Sequence, residues 1–197
     1  MVRYTDVHAA SVPMAEALRS IQELEDDRTQ HAAQGDLRAA AACDREIGIA
    51  LAEAGKLEAA LDRLGAAREV LAGSDRPGDV AICDHCLGIV LARLGREVDA
   101  LQRLEAARSA YAAQHRYLAV ADCEEHIGYA LLALDRPGAA VSHLSHAREL
   151  HDEAGRTDHV AACEAGLGAA YGQRERPRPA PLDLPRVAPP LRARLSG

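Results

Sequence analysis

Four cysteines fall forty residues apart: Cys43, Cys83, Cys123 and Cys163. Each precedes an acid (Asp44, Asp84, Glu124, Glu164), and four residues after each acid stands a glycine: Gly48, Gly88, Gly128 and Gly168. Self-similarity at such a period marks a chain built by stacking one supersecondary unit, because a single unit cannot bury its apolar face alone. The echo therefore predicts an all-α solenoid if the unit itself is helical.

The apolar spacing inside each unit is helical. Cys83, Leu87, Val90, Leu91 and Leu94 share one face, as do Leu101, Leu104, Ala107 and Tyr111. Short breaks separate the runs: Gly55-Lys56, Gly95-Arg96 and Asp135-Arg136-Pro137 within units, and Gly35-Asp36, Ser74–Pro77, His115-Arg116 and Gly155-Arg156 between them. Glycine suits the end of a helix and proline its first turn. Eight helices are expected, starting near residues 13, 36, 57, 77, 97, 117, 137 and 157. The recurring glycine lies mid-helix, where it costs about 1 kcal/mol relative to alanine. A bare Cα that admits a close helix crossing would justify that cost. The alanines at 60, 67, 100, 107, 140 and 147 suit the same close approach.

Residues 13–173 form the expected solenoid, with residues 1–12 as a lead-in. From Arg174 onward six arginines stand against Glu175 and Asp183, a net of +4, and six of the nine prolines fall there. Residues 174–197 read as a flexible tail. The overall charge of −7 leaves −11 on the rest of the chain, which disfavours direct nucleic-acid binding. No apolar run approaches the roughly 18 residues of a membrane span. The N-terminal stretch lacks the layout of a signal peptide, so a cytoplasmic chain with reduced thiols is expected.

The motif resembles the tetratricopeptide repeat (TPR). Ile47-Gly48, Leu51, Ala60, Leu64 and Ala67 carry the resemblance, with their counterparts forty and eighty residues on. The unit is longer than the usual 34 residues and is similar to the long-repeat variety of actinobacterial regulatory proteins. The resemblance implies a right-handed superhelix of antiparallel hairpins that binds a protein or peptide without catalysis. One departure is plain. Where the family places a large apolar residue, this chain has the four acids.

Those acids have candidate partners sixteen residues upstream, on the preceding helix. The expected ion pairs are Arg28–Asp44, Arg68–Asp84, Arg108–Glu124 and Arg148–Glu164. By analogy with the fold, the first helix of each hairpin lines a concave groove, through positions two and three before the repeated glycine and one and five after it. These are Arg45, Glu46, Ile49 and Glu53; then His85, Cys86, Ile89 and Arg93; then Glu125, His126 and Tyr129. Ile49, Ile89 and Tyr129 form an apolar seam suited to an extended or helical peptide.

Cysteines in the repeat register suit core filling. Cys86 lies outside it, and a zinc or thiol-sensing site from His85, Cys86, Glu125 and His126 requires convergence of their helices. A polar groove wall is the alternative for those residues. His143, His146 and His151 read as a solvated helix face. No phosphate-binding glycine loop, GxSxG or HExxH occurs, so no catalytic residue, cofactor or metal is assigned. The expected function is a scaffold or adaptor with a regulatory or assembly role. Two further expectations are a basic tail that occupies the acidic groove, and self-association through exposed solenoid ends.

Overall fold

Each repeat unit is two helices long because its breaks are helix stops with a shared geometry. In the computed structural model, residues 14–73 and 76–175 are described, and they form eight α-helices with no strand among them. These are α1 (Met14–Ala33), α2 (Leu37–Glu53), α3 (Leu57–Ala72), α4 (Pro77–Arg93), α5 (Glu97–Ala113), α6 (Tyr117–Ala133), α7 (Pro137–Glu153) and α8 (Thr157–Arg174). The lead-in and the Pro/Arg-rich tail expected from sequence lie outside the described residues, apart from Arg174 and Glu175 at the end of α8.

Among the described residues, six breaks place a residue at positive φ: Gly35, Gly55, Gly95 and Gly155, and the non-glycines His115 and Asp135. The next residue then donates its N–H back five residues, as Lys56 does to Leu51 O at 2.8 Å and Arg136 to Leu131 O at 2.9 Å. This is the Schellman pattern of helix termination. It satisfies carbonyls that the helix end leaves open, and the chain reverses in three residues. His115 (φ 56°) and Asp135 (φ 55°) carry a Cβ in a conformation that disfavours one. His115→Gly and Asp135→Gly are each expected to raise stability by about 0.5–1 kcal/mol, less than the full left-handed penalty because glycine also loosens the unfolded chain. Chemical denaturation measures it, and a lower midpoint in both variants would refute the account of these turns.

Consecutive helices pack against each other along the whole chain, and the even-numbered helices also touch one another. The even series therefore lies on the inner side of the stack. The core runs through the hairpins as Leu64, Leu71, Leu104, Ile127 and Leu144, each at most 1% exposed. Ala60, Ala67, Ala100, Ala107, Ala140 and Ala147 are equally buried, which brings paired helices close. A Cβ placed on Gly48, Gly88 or Gly128 would lie 2.7, 2.5 and 2.5 Å from Cγ of Leu64, Leu104 and Leu144. The mid-helix glycine is thus the socket for the leucine sixteen residues on. Gly168 departs from the expectation: nothing lies within 4 Å of its position, because no further helix among the described residues packs on that side of α8.

Candidate functional site

Three of the four register acids sit where three helices meet. Asp44, on α2, accepts from Arg28 Nε of α1 at 2.8 Å and from Arg63 Nη1 of α3 at 2.6 Å. Asp84, on α4, accepts from Arg68 Nε of α3 at 2.6 Å and from Arg103 Nη1 of α5 at 3.0 Å. Glu124, on α6, accepts from Arg108 Nη1 of α5 at 2.9 Å and contacts His143 of α7 closely, with His146 3.4 Å away. Asp84 and Glu124 side chains are only 4% exposed. The second partner series, Arg63, Arg103 and His143, also recurs every forty residues, nineteen after each acid, beyond the single upstream partner expected from the sequence.

The fourth expected pair is absent among the described residues: Arg148 and Glu164 form no ion pair, and Glu164 is exposed. The physical reason is positional. An acid at this register is enclosed by the helix that follows it, and α8 has no such successor among the described residues.

Burial by itself pushes the Glu124 carboxyl up, but the hydrogen bonds and charges of His143 and Arg108 outweigh it and hold the group at about 2 against an ordinary 4.5. A depressed acid stabilises the fold above its unfolded value and loses that contribution as pH falls from about 4.5 toward 2. The amount is roughly 3 kcal/mol. Urea titrations at pH 5.5 and pH 2.5 should therefore show wild type losing more stability than Glu124→Gln. Equal losses would contradict this linkage.

The expected groove residues do lie on the inner helices, but most are drawn into the seams between them. Arg45 reaches from α2 to Asp79 of α4 at 3.1 Å and also pairs with Glu46. Arg93 of α4 donates to Ala52 O at the end of α2, at 2.6 Å. Gln173 of α8 repeats that bond to Leu132 O of α6, at 3.3 Å. Tyr129 Oη donates to Ala162 O of α8 at 2.6 Å. What stays open is narrower than expected: exposed Glu46 and Glu53, with half-buried Ile49, Ile89 and Tyr129 between the seams.

Glu125 corrects the groove assignment most sharply. It is 1% exposed and points across the α6–α8 seam, where His159 Nδ1 lies 2.9 Å from its Oε2. His151 corrects the solvated-face reading, for it is fully buried at the end of α7, 3.4 Å from the same oxygen. Burial first, then the neighbouring His159 and Arg156 charges, hold His151 down at about 4, so it is neutral at pH 7. His143 is engaged by Glu124, and His146 alone of that trio keeps a mostly exposed ring among polar neighbours.

The His85–Cys86–Glu125–His126 grouping does not assemble. The His85 ring meets His126 edge-on at 5.4 Å and Tyr111 at 6.1 Å, while Cys86 packs beside the Leu64–Leu87 core. Of the four, only Glu125 belongs to a converging donor set among the described residues, and its companions there are His151 and Cys163. All five cysteines are free thiols. Burial pushes Cys86, Cys123 and Cys163 up to about 12 and Cys83 to about 11. A free thiol at that value carries almost no thiolate near neutrality, and Cys86, unlike Cys163, belongs to no converging set of donor atoms among the described residues that could draw its proton off.

No family model matches the sequence, and no curated protein does. Among solved structures, the chain is similar to that of a Podosopora anserina protein assigned as a kinesin light chain with nearly identical TPR-like repeats (TM-score 0.65, 17% identity, covering 81% of this chain and 80% of that one). A single-substitution variant of the same protein gives a TM-score of 0.65 at 18% identity, covering 81% and 79%. No described helix is long and apolar enough to cross a membrane. At this identity the likeness concerns architecture, and the fold of this chain is that of a TPR-like helical repeat solenoid.

Proposed function

We propose that the chain is a non-enzymatic protein-interaction scaffold that receives a partner segment on the inner surface of α2, α4 and α6. The observation that carries this reading is the pairing of exposed Glu46 and Glu53 with partly uncovered Ile49, Ile89 and Tyr129 along successive inner helices. Apolar side chains at that spacing suit an amphipathic strand or helix, and the acids favour a basic flank on it. A regulatory or assembly role in a bacterial cytoplasm follows from the resemblance to long-repeat regulators.

Charge reversal tests the reading without touching the core. Glu46→Arg/Glu53→Arg should weaken capture of the principal partner from host lysate at least about tenfold, since like charges across an interface cost several kcal/mol. Reversal of Glu69 and Glu105, exposed on α3 and α5, should leave capture unchanged. The opposite pattern would move the surface to the outer helices.

A further inference from the structure

The last hairpin replaces apolar packing with ligating groups. Counting back by forties, the position of His151 holds Tyr111 and Leu71, both core residues at 2% and 0% exposure. His151 is buried as completely, yet neither of its ring nitrogens has a hydrogen-bond partner, and Glu125 Oε1 has none either. Burying such groups unpaired costs on the order of 1–3 kcal/mol each. A substitution that loses apolar packing and adds that penalty needs a compensating interaction.

The surroundings supply one. Ligand atoms of Glu125 (α6), His151 (α7) and Cys163 (α8) all lie within 4.8 Å of one another, and all three residues are buried. Glu125 Oε2 and His151 Nε2 are 3.4 Å apart. Bonds of about 2.0–2.3 Å in a tetrahedral site separate ligand atoms by roughly 3.3–3.8 Å, so the Glu125–His151 pair already fits and the Cys163 sulfur needs to move in by at most about 1.5 Å. Asp122 and His159 flank it, with Asp122 Oδ1 4.0 Å from His151 Nε2 and His159 Nδ1 2.9 Å from Glu125 Oε2. Arg156 is neutralised by Asp122 at 2.7 Å and also contacts His159, so it does not stand as an unpaired cation at the site.

We infer that Glu125, His151 and Cys163 form a binding site for a thiophilic divalent transition metal, zinc above others, which ties α6, α7 and α8 together. One carboxylate, one imidazole and one thiolate match zinc's mixed preference, whereas magnesium and calcium favour oxygen ligands throughout. Asp122 and His159, beside the set, would be the nearest groups to supply a fourth ligand. Binding displaces the Cys163 thiol proton to solvent. The site is independent of the inner-face reading of partner binding and would persist if that reading failed.

The test uses the full chain, stripped with chelator and titrated with zinc by calorimetry and with cobalt(II) by absorbance. The expected result is one zinc per chain and a thiolate-to-cobalt charge-transfer band. Cys163→Ser should abolish the band and weaken zinc binding beyond the ~10-fold lower bound seen when only an outer-shell partner is lost. Cys123→Ser, the same register one repeat earlier, should change neither. His151→Gln should behave as Cys163→Ser, but its buried position makes folding a concern, so the near-isosteric serine variant decides the matter, with its helical signal checked by circular dichroism. Binding well below one equivalent, or a Cys163→Ser variant that binds like wild type, would overturn the assignment.

Discussion

Replacing Arg68 and Arg103 together with alanine is expected to destabilise the fold by about 3–5 kcal/mol, the range found when a buried charge loses its partners. Asp84 is the reason. Its side chain is 4% exposed and both arginines bond to the same oxygen, Oδ1. Either single variant leaves one guanidinium in place and should cost much less, because each arginine is itself about one-third exposed and partly screened. The two losses should therefore be strongly non-additive in a double-mutant cycle. Arg148→Ala offers the contrast, since Arg148 has no carboxylate within ion-pair distance among the described residues and should shift the denaturation midpoint little. A double variant no weaker than the sum of its singles would show that Asp84 is not held as a buried carboxylate.

The second large effect concerns the glycine socket. Leu104→Ala should cost about 2–5 kcal/mol, the usual range for a leucine removed from a rigid core. Leu104 is 0% exposed and joins Ile127, Leu131 and Leu144 in one cluster. Gly88→Ala should also destabilise, by about 1–3 kcal/mol, because the new methyl would lie 2.5 Å from Leu104 Cγ and 3.3 Å from Ala100 O. The helix-propensity gain of about 1 kcal/mol offsets only part of that. Combined, the two changes should be less damaging than their sum, by about 0.5–3 kcal/mol, since truncating Leu104 opens the space that the Gly88 methyl needs. Gly168→Ala should instead be neutral or stabilising, with nothing near its position to displace. Simple additivity at 88 and 104 would mean that the close crossing is not what requires glycine.

Helix boundaries were legible in the sequence because each stop is local. Glycine, or an occasional His or Asp, at positive φ is a short-range signal, and every helix begins within a residue of where the breaks place it. The cation sixteen residues before each acid was legible too, since a fixed offset on a repeating unit implies a fixed contact. The partner nineteen residues after is equally periodic, but a change from Arg63 and Arg103 to His143 at the third step blurs its signal in the sequence. The final unit misled for a different reason. Glu164 and Gly168 repeat the pattern while the helix that gives it meaning is missing among the described residues, so the same letters carry no pair and no close crossing there.

The inner surface was the least legible part. Its contacts run between first helices of successive units, 33 to 41 residues apart, as in Arg45–Asp79, Tyr129–Ala162 and Arg93–Ala52. A pattern read within one unit shows which face a residue shares and not whether the next unit covers it. Glu125 on α6 illustrates the point, and His151 on α7 departs in the same way: both are polar, both read as open from the sequence, and both are buried. The signal for His151 was present, for it occupies the register of Leu71 and Tyr111.

Photo-crosslinking from single sites measures the central claim most directly. A crosslinking amino acid placed at Glu53 or at Ile89 on the inner surface is predicted to trap the same partner, while one at Glu105 on the outer surface traps none. Both inner positions are reachable, Glu53 being exposed and Ile89 half-buried. Trapping from Glu105 alone, with the inner positions silent, would contradict the assignment of the inner helices as the binding surface.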